Sequence, residues 1–168
     1  WGNPFYYFAY GASVSEVVVD TLTGEYKVTQ VDILHDVGRS INHAIDEGQI
    51  IGGFVQGMGW LTTEELIWGD HGRLTSCNPA TYKIPTIGDV PDQFNVSFYR
   101  DDTQVKSTVM KSKAVGEPPF MLAMSVWCAL RDAVQSVANH TKFARLDTPA
   151  TPERVLNAVK QMEANDES

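Results

Sequence analysis

Between Val14 and Asp20 the chain reads VSEVVVD, β-branched and alternating, which predicts a strand. A turn signal, Thr23-Gly24, follows, and YKVTQVDILH from Tyr26 to His35 predicts the returning strand of a hairpin. DVGRSIN then reads as a loop, and from about Ala44 to Ile67 the apolar spacing becomes helical. GDHGR is a second turn, and NPATYKIPTIGDVPD is broken by proline and glycine into irregular chain. FNVSFYR, Phe94 to Arg100, predicts a third strand. A long helix is expected after Glu117, running to about His140. A terminal helix begins at Pro152 with Thr151 as its N-cap, and the polar tail EANDES is expected to fray. Hairpins and helices come in mixed order, without the regular strand–helix alternation of a doubly wound sheet. The expected class is therefore α+β, in one domain over residues 1–168.

Composition narrows the function classes. At 168 residues the chain can bury a sizeable core, and 43% apolar with 20% charged residues is an ordinary globular composition. A net charge of −8 argues against nucleic acid and acidic membrane partners, which need a basic face. The longest near-continuous apolar run, Phe120 to Leu130, is too short to span a bilayer. Two cysteines, Cys77 and Cys128, make no disulfide framework, and a reducing cytoplasm is the simpler expectation. The start, WGNPFYYFAYGA, has no basic n-region or cleavage signature, so no signal peptide is expected. It opens without Met inside an aromatic, strand-like stretch, as a piece of a longer polypeptide would. There is no internal repeat, low-complexity segment or dividing linker.

Two stretches carry candidate chemistry. In SKAVGEPPF, Ser112 to Phe120, Glu117 lies between Gly116 and two prolines. Gly116 allows close approach of the backbone, and Pro118-Pro119 suit the first turn of a helix. A carboxylate so placed is held rigidly at a helix start, where the dipole favours it by a few tenths to about 1 kcal/mol. The second stretch is DEGQIIGGFVQGMGWLTTEEL, with glycines at 48, 52, 53, 57 and 59. Each costs a helix interior about 1 kcal/mol relative to Ala. Either they let another backbone approach, or they clear a face for a polar ligand beside Gln49 and Gln56, which share an azimuth. The amide pair favours a ligand face at Gln49.

The remaining constellations are weaker. Lys113 and Ser112 could line one pocket with Gly116 and Glu117, or Lys113 could be a solvated surface lysine. His35-Asp36 and His43…Asp46 match no zinc or iron spacing and read as loop or capping residues. Neither a phosphate loop nor a complete dinucleotide fingerprint is present, and no Ser-His-Asp set stands out. Trp60, Trp68 and Trp127 are expected in the core, and TTEEL at the exposed end of the helix.

Taken in order, FYYFAYGASVSEVVVD, DILHDVGRSINHAIDEGQ, GQIIGGFVQGMGWLTTEEL, TYKIP, SKAVGEPPF and RLDTPATPERVLNAV resemble the C-terminal part of the molybdenum-binding domain of the xanthine dehydrogenase family. The resemblance implies a molybdenum hydroxylase whose metal is held by molybdopterin, with no direct protein ligand to the metal in this chain. Glu117 corresponds to the glutamate of the family's GEPP motif, the general base that deprotonates the attacking hydroxide. Gln49 corresponds to the glutamine of GQ-x-x-G, which contacts the cofactor, and Gln56, Lys113 and Gly116 are further cofactor-binding candidates. FAD and [2Fe-2S] clusters on other domains or subunits would carry the electrons away in an enzyme expected to be oligomeric. The substrate implied is a purine, hypoxanthine or xanthine; an aldehyde oxidase, another azaheterocycle hydroxylase and a non-catalytic interaction domain are the alternatives. The family's substrate-orienting residues lie outside this stretch. The chain alone is therefore expected to be inactive, and to expose apolar surface around WGNPFYYFAY and the glycine face.

Overall fold

The computed structural model describes Gly2, Phe5 and residues 7–99 and 108–164. Arg100, expected to end the third strand, and residues 165–168 of the tail lie outside the described residues. Strand β1, Gly11–Val19, pairs antiparallel with β2, Tyr26–His35, through the expected hairpin. Asp20 makes the turn: its backbone bonds to Glu25 and Gly24, and its side chain accepts from the Leu22 N–H at 2.8 Å. Gly24 takes φ +77°, and a Cβ there would collide with the Pro152 carbonyl, so only glycine fits between hairpin and terminal helix.

The third strand, β3 at Gln93–Phe98, lies parallel to β2, so β2 is the centre of a three-stranded sheet. Parallel neighbours need a crossover, and helix α1, His43–Thr62, together with the irregular chain after it, provides one. A crossover inside an otherwise hairpin-led chain is a feature that turn signals alone do not reveal. Helix α2, Met124–Ser136, and helix α3, Pro152–Ala164, complete the regular elements. Helices cover one sheet face. Val28, Val31 and Ile33 of β2 meet Ile50, Phe54 and Met58 of α1, Val126, Leu130 and Val134 of α2, and Val155, Val159 and Met162 of α3. The spacing of three and four residues within each helix is the expected apolar stripe. Phe54 is fully buried, edge-on to Phe94 of β3 at 5.3 Å.

Several expectations are corrected. Helix α1 stops at Thr62 rather than near Ile67, because the Gly59 carbonyl takes both the Thr63 and Glu64 N–H groups and closes the last turn. TTEEL holds the helix end, with Thr62 its last residue and Thr63 the C-cap, but not an exposed one: Thr62 is buried, Glu64 accepts from the Tyr82 hydroxyl, and Glu65 pairs with Arg154 at 2.6 Å. Trp60 and Trp68 are exposed rather than core, and Trp127 is half-buried under the Arg131 guanidinium. The helix expected to reach His140 ends at Ser136, and Asn139 and His140 turn to positive φ.

The other sheet face and the chain before it are open. Phe5, Phe8, Tyr10, Val14 and Val18 are each more than half exposed. Apolar residues so placed mark a surface made to be covered. The 168-residue chain on its own is therefore expected to self-associate and to bind an apolar dye; light scattering that finds a dye-silent monomer would contradict this. Among the described residues, no helix is long and apolar enough to cross a membrane.

Candidate functional site

Glu117 sits between loop and helix, as the sequence indicates, but not on an α-helix. Pro118–Ala123 forms a 3-10 segment that precedes α2, with Glu117 as its N-cap. Consecutive prolines leave the first amide donor to Phe120, which bonds back to the Glu117 carbonyl at 3.0 Å. The Glu117 side chain makes no capping hydrogen bond and is exposed. Its backbone is tied down while its carboxylate stays available.

What ties it down from one side is α1, where the five glycines divide into two kinds. A Cβ on Gly53 would stand 3.1 Å from the Gly116 carbonyl and 3.2 Å from Pro119; one on Gly57 would run into the Phe120 carbonyl and lie 3.1 Å from the Ala123 Cβ. These two glycines let Gly116–Ala123 lie directly on the helix. Gly59 likewise admits Pro85, whose Cδ would be 2.6 Å away. Gly48 and Gly52 have nothing within 4 Å of where a Cβ would be. Close packing therefore explains Gly53, Gly57 and Gly59, and a cleared face describes Gly48 and Gly52. Gly59 therefore does not belong to the open face.

Gln49 stands at the edge of that open face. Its Oε1 lies 3.4 Å from the Cβ position of Gly116, so the structure brings Gln49 and the residue before Glu117 together. Gln56 is exposed on the same stripe two turns on, about 10 Å along the axis. Trp60 closes the far end, edge-on to Phe120 at 4.8 Å. Its place beside the site was not expected from the sequence, because an aromatic at helical spacing reads as core.

Lys113 is placed differently from a pocket-lining lysine. Its side chain is 2% exposed; the ammonium is bound by the Asp36 carboxylate and by the Phe8 carbonyl at 2.8 Å. The Tyr10 ring lies 5.6 Å away. Asp36 also accepts the Gly38 N–H at 2.8 Å. Its neighbour His35 is buried with neither ring nitrogen partnered. Burial holds the His35 imidazole below the usual histidine range, with Asp36 opposing and Lys113 reinforcing the shift. His43 stacks on Phe98 at 4.3 Å, and Asp46 accepts from Ser40 at 2.6 Å.

The arrangement can hold a carboxylate still beside an exposed amide and a helix face without side chains. Such a face fits a flat polar group that needs close backbone approach. The polar side chain beside that face is the Gln49 carboxamide rather than an imidazole or thiolate, which suits a cofactor gripped through its organic part better than a bare metal ion.

Comparison with known proteins agrees with this chemistry. Residues 1–91 match a family described as a molybdopterin cofactor-binding domain. The chain is 49% identical to xanthine dehydrogenase of Oryza sativa subsp. japonica and 51% identical to xanthine dehydrogenase/oxidase of Gallus gallus, in each case over 94% of this chain. It spans 12% of the length of these relatives. Among solved structures, quinoline 2-oxidoreductase from Pseudomonas putida 86 superposes with a TM-score of 0.74 at 30% identity, covering 86% of this chain and 18% of that one. The aldehyde oxidoreductase from Desulfovibrio gigas gives 0.68 at 29%, covering 90% and 15%.

Proposed function

The chain belongs to the molybdopterin cofactor-binding domain family, and we propose that it forms one wall of the active site of a xanthine dehydrogenase-type molybdenum hydroxylase. The observation that carries this reading is the juxtaposition of Gln49 and Gly116 beside the bare stripe of Gly48 and Gly52. When bound, the molybdenum–pterin group supplies an electron-accepting centre and an activated hydroxyl derived from water. Gln49 and the Gly116 backbone would hold that group, and Gln56 would approach it from the next turns of α1. Glu117 would be the proton acceptor there, on a carboxylate oxygen, for a hydroxyl within its hydrogen-bond reach in the assembled site.

A purine is the substrate we favour, because the relatives of 46–51% identity that span over nine-tenths of this chain bear the name xanthine dehydrogenase. The alternative is an aldehyde or another azaheterocycle, since proteins named for those substrates share the fold. The remaining walls, the FAD and the iron–sulfur clusters would belong to the rest of a longer, cytoplasmic polypeptide or its partners, so the 168 residues alone should not turn over. Metal and pterin analysis of the full-length polypeptide carrying this segment, followed by turnover of xanthine, benzaldehyde and quinoline, tests the reading. Stoichiometric molybdenum with preference for xanthine is expected; absence of molybdenum under molybdate-replete expression would leave only a non-catalytic domain. Gln49→Ala should lower molybdenum content while activity per bound molybdenum falls far less, because the amide contacts the cofactor and not the reacting atoms.

A further inference from the structure

Lys113 lies four residues before Glu117, in the same loop, and it is one of the most deeply buried charged side chains among the described residues. We propose that the Lys113–Asp36 ion pair is a positioning device that sets the register of the loop carrying Glu117. The inference rests on the assignment of Glu117 as the base, and goes beyond it by naming what aims that base.

The pair is the centre of a local zipper between two loops. The Arg39 N–H bonds to the Lys111 carbonyl at 2.8 Å, the Lys113 N–H bonds to the Val37 carbonyl at 2.9 Å, and Gly38 bridges to Ser112. Gly38 has φ +62°, and a Cβ there would approach the Lys111 carbonyl to 2.6 Å, so only glycine allows the loops this close. Asp36 works on both strands of the zipper, with one oxygen on the Gly38 N–H and the other on the Lys113 ammonium. The aromatic lead-in chain is clamped to the same loop, through the Phe8 carbonyl on Lys113 and the Tyr7 hydroxyl, which accepts the Ala114 N–H at 2.8 Å. Beyond Glu117, Pro119 and Phe120 rest on Gly53 and Gly57. Glu117 is therefore fixed on both sides, by a buried charge pair upstream and by helix packing downstream. The span between is short enough for a change at Lys113 to reach Glu117.

A buried pair that only stabilised the fold could be replaced by neutral groups without loss, and sometimes with gain. A positioning pair could not, since a displacement of about 1 Å can cost on the order of 10²-fold in rate. The test uses the full-length molybdenum-loaded polypeptide with Lys113→Met and Asp36→Asn together, so that no unpaired charge is left inside. The melting temperature and molybdenum content should stay near the parent's. The kcat per molybdenum should fall about tenfold or more, with KM little changed. In a Glu117→Gln background the same double change should have no further effect, because the group it aims is already absent. Asp36→Glu, which keeps both charges and lengthens the carboxylate by one methylene, leaves no unpaired charge inside; it should show the kcat loss in milder form with molybdenum content retained, and it decides the matter if the double variant does not fold. A parental kcat per molybdenum in the folded variant overturns the proposal, as does a loss that persists undiminished in the Glu117→Gln background. A rapid Glu117→Gln enzyme would instead overturn the base assignment itself.

Discussion

Glu117→Gln in the molybdenum-loaded polypeptide is expected to lower the rate of substrate oxidation by at least about 10²-fold, within the range of roughly 10²–10⁴ that general-base catalysis contributes. The substitution keeps size and shape. The Phe120 N–H bonds to the backbone carbonyl of residue 117, not to its side chain, so the 3-10 segment Pro118–Ala123 has no reason to move. Gly53 and Gly57 still receive that segment, and Gln49 still lies against Gly116, so molybdenum content should stay near the parent's. What is lost is the ability to accept a proton. The competing explanation of this carboxylate, a charge placed to favour a helix dipole, predicts at most about 1 kcal/mol of stability and no change in rate. The structure weakens that explanation further, because the residues after Glu117 form a short 3-10 turn and the carboxylate makes no capping bond. The measurement is the reductive half-reaction rate divided by molybdenum content. A variant retaining more than roughly a tenth of the parental rate, against the 10²-fold lower bound, would falsify the base assignment.

Elements whose signal is local were legible in the sequence. The hairpin at residues 11–35 follows from alternation and one glycine turn, and α3 begins at Pro152, where proline and its N-cap put it. The fixed backbone around Glu117 was also legible, from a motif whose proline content already limits it, and the structure places Gln49 beside Gly116. Non-local relations were not legible. The parallel pairing of β3 with β2 depends on a crossover, and nothing in FNVSFYR records its direction. Nor does a single lysine record whether its partner lies 77 residues away: Lys113 finds Asp36 only because two loops close on each other. Trp60 misled for a related reason. Its helical spacing fits a core stripe, yet it lies against Phe120 at the rim of the site, 40% exposed. The five glycines share one pattern in sequence and have two physical reasons in space, which neighbours alone distinguish.

That division gives the second large expected effect, in which two Gly→Ala changes five residues apart on α1 act with opposite sign. Gly52 is in the helix interior with nothing within 4 Å of a new Cβ, and its φ is not in the left-handed region. Alanine there should stabilise the chain by up to about 1 kcal/mol, the ordinary helix preference over glycine. Gly57 has the same preference to gain, but its Cβ would meet the Phe120 carbonyl and stand 3.1 Å from the Ala123 Cβ. The nearest obstacle is backbone and cannot rotate aside. Overpacking costs about 1–3 kcal/mol, and an obstacle of this kind belongs at the upper end, so Gly57→Ala should lose about 2 kcal/mol net once the roughly 1 kcal/mol helix gain is subtracted. Urea unfolding of the 168-residue chain, under conditions that keep it monomeric, reads both, as midpoints moving in opposite directions at unchanged slope. In the full-length polypeptide the order of effects on the site differs. Gly52→Ala, more stable, should hold less molybdenum, because its methyl group projects into the face beside Gln49. Gly57→Ala should retain more of the metal and lose rate per molybdenum, because it lifts the segment that carries Glu117. Two midpoints that move the same way would show that the glycines of α1 are all packing residues or all spectators, and the open face would lose its claim to a ligand.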